Sequence, residues 1–335
     1  MFFYSFIGVF CLAAGLGPSL QTDARTPPPV FSTNVQVVNL FAVVHDASGR
    51  IRNDLTKGDF RLQVDGKAQT VTYFSQQTDL PLTLGILVDT SASMLRVFDE
   101  ERTAAGKFLK QVLREHTDQA FLVGFDRNVK LLEGLTSSRR KLQSGLGVLD
   151  SQTWFGRQMA QRAASKPPRR GVSTALYDAI VQSSNNYLRA PAGRKAIILL
   201  SDGVDDGSTQ SLKTAVDAAL RANTLIYSIH IFNRAPYSAV TSPEDKRRKQ
   251  EIVYGKGVLL YMAQQTGGEF FEATDKQNLP AIFARIEEEL RNQYSLGFSP
   301  SAEEAAPGFH SVVLATTTPG FTVQTRNGYH IDPQP

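Results

Sequence analysis

The run Leu84-Gly-Ile-Leu-Val88 is apolar without interruption, and a carboxylate, Asp89, closes it before Thr90-Ser91-Ala92-Ser93-Met94. An apolar run with turn chemistry behind it fits a strand buried on both faces, the usual state in a parallel sheet. Asp89 then stands where the strand emerges, the edge at which open α/β sheets bind ligands. One carboxylate and two hydroxyls in a tight turn, Asp89, Ser91 and Ser93, form a cluster of hard oxygen donors. Hard oxygens suit Mg2+ or Mn2+ and not zinc or copper.

A hard-metal site needs donors from several loops at one end of the sheet, and two further places supply them. Gly171-Val-Ser-Thr174 offers a hydroxyl just before the helical pattern Ala175-Leu-Tyr-Asp178. Ala196-Ile-Ile-Leu-Leu200 is a second buried run, and it ends in Ser201-Asp202-Gly203. Taken singly, each piece is commonplace. An Asp-Thr-Ser sequence is a frequent Asx turn, Thr174 fits a helix N-cap, and Asp202-Gly203 fits a simple turn. Their joint placement after two buried strands is what favours a site. Asp178, Asp205 and Asp206 read instead as first-turn or loop acids near helix starts.

Around these runs strands alternate with helices. The spacing predicts strands over 83–89, 121–125, 129–135, 196–200, 225–232 and 269–272. Helical periodicity falls at 95–116, 139–149, 175–188, 208–222, 257–266 and 279–292. The stretch 233–251 is charged, includes Lys246-Arg-Arg-Lys249, and reads as a loop with a solvated charge run. Such alternation predicts right-handed βαβ units around a mostly parallel sheet.

Both ends of the chain have a different texture. Val35-Gln-Val37-Val38-Asn-Leu40, Phe41–Val44, Phe60-Leu62-Val64 and Val71–Phe74 are strand-like, with turns at Asp46–Gly49 and Asp65-Gly66. After residue 293, the segments 294–298, 310–314 and 321–325 are again strand-like between Pro/Gly turns. Neither end holds enough strands for an independent core. Together they predict one small β-sandwich into which an α/β domain is inserted. The expected division begins with a signal peptide over 1–24 and a linker over 25–29. The first sandwich segment follows at 30–78, then the α/β domain at 79–292. Residues 293–335 hold the second sandwich segment and the tail.

The N-terminus, Met1-Phe-Phe-Tyr-Ser-Phe-Ile-Gly-Val-Phe-Cys11, is apolar but short for a membrane span, and small and polar residues follow it through Ala24. That outline is a secretory signal peptide, although no Lys or Arg precedes its apolar core. An uncleaved anchor is the alternative. Cys11 is the only cysteine, so cleavage would leave a chain without thiols or disulfides. The expected location is secreted, periplasmic or cell-envelope. The net charge of +4 is mild and the basic residues form no dominant block, which disfavours nucleic-acid binding. The five histidines are scattered without a His-x-x-x-His pair, so a helical zinc site is not supported.

Asp89-x-Ser91-x-Ser93, a distant Thr174 before Leu-Tyr-Asp-Ala-Ile, and an apolar strand ending Ser201-Asp202-Gly203 resemble the von Willebrand factor type A domain. The resemblance covers about residues 82–292. It implies a Rossmann-like, doubly wound sheet bearing a metal-ion-dependent adhesion site. It also implies that Ser91, Ser93 and Thr174 supply hydroxyl ligands while Asp89 and Asp202 bind directly or through water. The flanking β segments and Lys57-Gly-Asp-Phe60 further resemble bacterial exported proteins that carry a related domain. By this resemblance the chain would bind protein through Mg2+, with Mn2+ as the alternative, and a partner's Asp or Glu would complete the coordination. The basic segment 151–171 leads directly into Thr174, so Trp154, Arg169 and Arg170 are candidates for touching that partner. A solvated loop explains the same segment equally well.

Enzyme readings fare worse. The chain has no Gly-x-Ser-x-Gly elbow, no phosphate-binding Gly-x-x-x-x-Gly-Lys-Ser/Thr and no clustered histidines. A metal-dependent phosphatase or hydrolase could use Asp89 as nucleophile, but Ser91 occupies the position where a second acid is wanted. A purely structural envelope protein is the third class. Metal-dependent capture of protein, turnover of a phosphoester, or neither, separates the three.

Overall fold

The computed structural model describes residues 37–76, 80–91, 94, 98–114, 116–149, 174–231, 243–274, 278–301 and 303–333. In the first β segment, β1 (Val38–His45) is one continuous strand where the sequence suggests two. It is followed by β2 (Phe60–Val64), β3 (Lys67–Gln69) and β4 (Tyr73–Ser75). Asp65 and Gly66 join β2 to β3 with φ of 48° and 76°. Positive φ at both central positions is what a tight, right-twisted hairpin requires.

The α/β domain begins with β5 (Leu82–Asp89), buried along its whole length, and α1 (Phe98–Val112). β6 (Gln119–Phe125), β7 (Val129–Thr136), α2 (Arg139–Gly147), α3 (Leu176–Ser183) and β8 (Arg194–Ser201) follow. The last turns after α3, Ser184–Leu188, widen into a π-helix. Then come α4 (Leu212–Arg221), β9 (Leu225–His230), α5 (Pro243–Thr266), β10 (Phe270–Glu272) and α6 (Leu279–Arg291). The chain closes with β11 (Tyr294–Phe298), β12 (Gly308–Thr316), β13 (Thr322–Gln324) and β14 (Gly328–Ile331). The sequence reading stops short of β14, whose Tyr329 and Ile331 alone carry its apolar signal.

Six strands form the central sheet in the order β10-β9-β8-β5-β6-β7. All neighbours are parallel except β7, which runs antiparallel to β6 at the edge. The chain builds outward from β5 through β6 and β7, then crosses back to lay β8, β9 and β10 on the other side. The gap between β5 and β8 is therefore the topological switch point, where such sheets leave a crevice beyond the strand ends. Alternate residues of each buried strand enter two cores. Leu84, Ile86 and Val88 face α1, α2 and α6. Leu87, Ile197 and Leu199 face α3, α4 and α5. The architecture is the mixed α/β, mostly parallel sheet that the alternation predicts.

The remaining strands make two four-stranded sheets, β13-β1-β11-β4 and β14-β12-β2-β3. Each mixes strands from the two ends of the sequence: β1 pairs antiparallel with β11, and β2 with β12. β2 alternates buried and exposed residues, so Phe60, Leu62 and Val64 meet Leu40, Leu296 and Leu314 in one shared core. Tyr294 is fully buried there. Its phenol donates to the Arg52 carbonyl and accepts from the Leu55 amide, both at 3.0 Å. Placing it costs no unpaired polar group.

One element corrects the sequence reading. The sequence predicts a loop over 233–251, but α5 starts at Pro243 and carries the charged run 246–249 into a helix of 24 residues. Proline suits the first helical turn. Arg247 pairs with Glu251 one turn on, at 3.3 Å. A charge run spaced this way is as compatible with a solvated helix face as with a loop. Residues 232–242 lie outside the described residues. Among the described residues, no helix is long and apolar enough to cross a membrane.

Candidate metal centre at the carboxyl edge of the sheet

β5 and β8 end side by side, because Val88 is in register with Leu200. This puts Asp89 next to Ser201 at the switch point. The Ser201 hydroxyl donates to Asp89 Oδ2 at 2.7 Å, and the Ser91 amide donates to Oδ1 at 2.9 Å. The Ser201 hydroxyl also accepts from the Gly203 amide at 2.9 Å, which folds the loop after β8 back over the strand end. Asp202, half-buried, projects from that loop and accepts from the Val204 amide at 3.1 Å.

The loop after β8 is held by a close backbone approach. Gly203 has φ of 79°, and a Cβ there would lie 2.3 Å from the Gly255 carbonyl oxygen on α5. A Cβ on Gly255 would in turn lie 2.2 Å from the Asp202 carbonyl oxygen. Only two glycines let the Asp202 loop and α5 touch this closely.

Thr174 is buried and sits one residue outside the N-cap of α3, which is Ala175. The N-cap role suggested by its type is therefore not the one it plays. Its amide donates to Asp206 Oδ1 at 2.6 Å, and its carbonyl accepts from the Gly207 amide at 3.1 Å. The next amide, Ala175, donates to the Asp126 carbonyl at 2.7 Å, just past the end of β6. Asp205 accepts from the Tyr177 amide at 3.2 Å and from the Ser208 hydroxyl at 2.5 Å. Asp178 accepts from the Thr209 amide at 3.1 Å and the Gln210 amide at 2.9 Å. These acids, which the sequence marks as loop acids, lace the start of α3 to the loop after β8.

Asp89, Ser91, Thr174 and Asp202 thus come from three loops on one edge of the sheet. Ser93, Trp154, Arg169 and Arg170 lie outside the described residues, as do residues 1–36 with the N-terminal segment. Sequence reasoning does not single out Ser201 as a site residue, although the Ser-Asp-Gly sequence displays it. Its alternation along β8 brings its hydroxyl onto Asp89.

The electrostatics fit a hard divalent cation. Asp89 is fully buried. Burial first, and then the charge of Asp202, push its carboxyl up to about 7, against hydrogen bonds from Ser91 and Ser201 that pull it down. Two acids brought together in a low-dielectric edge repel, and a cation between them removes that cost. Thr90, the next residue, adds a buried hydroxyl with no hydrogen-bond partner among the described residues. Carboxylates and hydroxyls from several loops are the donors that Mg2+ and Mn2+ prefer.

Residues 84–204 match the family model of the von Willebrand factor type A domain. No curated protein matches the sequence. Among solved structures, the chain is similar to the conserved hypothetical protein BatB from Bacteroides thetaiotaomicron, at 14% identity and a TM-score of 0.43, covering 62% of this chain and 97% of that one. It is also similar to proximal thread matrix protein 1 from the mussel byssus, in a form with a zinc-occupied metal-ion-dependent adhesion site. There the identity is 12% and the TM-score 0.45, over 68% of this chain and 49% of that one. The pilus adhesin SpaC from Lactobacillus rhamnosus GG is similar at 12% identity and a TM-score of 0.45, over 82% of this chain and 41% of that one. The chain thus spans about half or less of the length of the latter two. The family match runs from Leu84, within β5, to Val204 in the loop that carries Asp202, and over that segment the chain matches the von Willebrand factor type A domain.

Proposed function

We propose that this chain is a non-enzymatic, metal-dependent protein-binding module. Its metal, Mg2+ or Mn2+, would be held by Asp89, Ser91, Ser93, Thr174 and Asp202. When bound, the ion supplies an electrophilic centre that accepts an oxygen from outside the chain. Asp89 anchors the site from the strand end, fixed by Ser91 and Ser201. Asp202 is half-buried where Asp89 is fully buried, so an incoming ligand would meet the site from its side. Thr174, tied to Asp206 and Gly207, keeps the third loop in place. Three neutral hydroxyls and at most two carboxylates leave an electrophilic position for an exposed Asp or Glu of a partner protein.

The single observation that supports this reading most is the pairing of buried Asp89 with Asp202 at the switch point. The family match over 84–204 supports the interaction class. The N-terminal sequence supports export to the envelope or beyond, and the pairing of β1 with β11 supports insertion of 79–292 between 30–78 and 293–335.

The test is isothermal titration of Mg2+ and Mn2+ into metal-free protein, beside an Asp89→Ala variant. Saturable Mg2+ binding in the parent and none in the variant supports the site. An immobilised acidic peptide retained only with metal present then supports the partner class. Equal binding in both proteins, or phosphoester turnover that requires Asp89, would overturn the reading.

A further inference from the structure

A second cluster lies far from the carboxyl edge, where the β-sandwich meets the α/β domain. His45 ends β1, Glu269 precedes β10, and Glu289 lies on α6. One ligand-type atom from each lies within 4.8 Å of the others. His45 is 8% exposed, and its Nε2 is 3.7 Å from Glu289 Oε1 without a hydrogen bond to any described group. Glu289 is fully buried. Its Oε2 accepts from the Gln324 side chain on β13 at 3.0 Å, which leaves Oε1 facing the imidazole and Arg285.

We propose that His45, Glu269 and Glu289 form a binding site for a divalent transition metal, with Zn2+ as the best-suited ion. One imidazole nitrogen with two carboxylate oxygens is a borderline donor set, which favours Zn2+, Mn2+ or Fe2+ over Mg2+. Around tetrahedral Zn2+, with bonds of about 2.0–2.2 Å, donors stand about 3.4 Å apart. The longest separation in the observed cluster needs to contract by up to about 1.4 Å, within reach of side-chain rotations. The buried Nε2 of His45, without a hydrogen-bond partner among the described groups, is the lone pair such an ion would take. A fourth position remains for water.

The competitor is visible. Arg285 pairs with Glu269 at 2.9 Å and with Glu289 at 3.5 Å. A metal has to displace this guanidinium. Arg285 has room to leave, since its side chain is 41% exposed. His45 belongs to the sandwich while Glu269 and Glu289 belong to the α/β domain, so the bound ion joins the two. α6 runs directly into β11, and a ligand on α6 fixes that connection. The sequence conceals this site because its residues come from three distant segments with no motif spacing.

The experiment uses the full chain carrying Asp89→Ala, which removes the first candidate centre, and titrates Zn2+ by calorimetry with Co2+ absorption as a second readout. The expected result is about one equivalent of Zn2+, with affinity lowered at least ~100-fold by His45→Gln, the upper end of what even outer-shell substitutions cost. Arg285→Ala is expected to tighten Zn2+ binding, because the competing cation is gone. If His45→Gln fails to fold by circular dichroism, Glu269→Gln at the partly exposed position decides instead. No Zn2+ binding in the Asp89→Ala chain would overturn the proposal. So would binding that survives loss of the His45 or Glu269 ligand unchanged.

Discussion

Two aspartates of this protein are fully buried at opposite ends of the same sheet, and they behave in opposite ways. Asp89 stands at the carboxyl edge of β5, and Asp118 stands at the amino edge just before β6. Burial pushes both carboxyls up. At Asp118 the push is outweighed by the Arg114 amide and side chain, the Leu82 amide and Arg291, so the group ends below its usual range. At Asp89 the next influence is another acid, Asp202, and the group ends high. The amino edge is closed by guanidinium groups. Arg291 reaches Asp118 at 3.0 Å and also the Val112 carbonyl, while Arg194 reaches the carbonyls of Leu80 and Leu290. Two of these carbonyls, Val112 and Leu290, lie at helix C-termini, where cations are favoured. A buried acid with its cations supplied by the protein stabilises the fold. A buried acid facing another acid leaves charge to be met from outside.

The largest expected effect falls on the amino edge. Asp118→Ala removes the carboxylate that Arg291 and Arg114 share and leaves the Leu82 amide without its acceptor at 3.0 Å. Breaking a buried pair from one side costs about 3–5 kcal/mol. Urea unfolding should read that loss, while Mg2+ affinity of the folded fraction stays at the parent value. A loss of metal binding together with an unchanged midpoint would invert the assignment of the two edges.

His230 provides a pH test at the carboxyl edge. It is fully buried at the end of β9, and burial lowers its pKa from 6.5 to about 4. Its folded value lies below its unfolded value, so the unfolded chain takes up the proton first as pH falls. The stability linked to neutral His230 is whole above pH 6.5 and is lost progressively down to about pH 4. That window is worth about 3 kcal/mol. Thermal unfolding across it should show the decline, and a His230→Gln variant should flatten this share of it.

A smaller effect is expected from Gly255→Ala, which inserts a methyl against the Asp202 carbonyl. Overpacking of this kind costs about 1–3 kcal/mol. Because the displaced loop carries Asp202, metal affinity should fall with stability, as titration of the variant would register. Unchanged affinity would show that the position of this loop does not matter to the site.

The smallest effect on stability is expected at Asp89 itself. Asn keeps an oxygen for the Ser91 amide and removes the repulsion with Asp202, so Asp89→Asn should leave the metal-free midpoint within about 1 kcal/mol of the parent. Metal binding should nevertheless disappear. Marked destabilisation of Asp89→Asn without metal would make this acid structural, like Asp118.

Much of this was legible in the chain itself. Unbroken apolar runs such as Leu84–Val88 and Ala196–Leu200 can satisfy their surroundings only inside a sheet, so the parallel core was determined by sequence. The Asp65-Gly66 turn announced its hairpin because few residue pairs accept two positive φ values. Asp89, Ser91, Thr174 and Asp202 could be named because each follows a recognisable strand end or precedes a helix. The tertiary structure decided the rest. The charge run 246–249 does not by its sequence distinguish a loop from a helix, and only the fold shows it within α5. The opposite fates of Asp89 and Asp118 depend on which side chains long-range folding brings beside them. So does the cluster of His45, Glu269 and Glu289, because electrostatic neighbours are set by distance in space and local sequence carries no record of it.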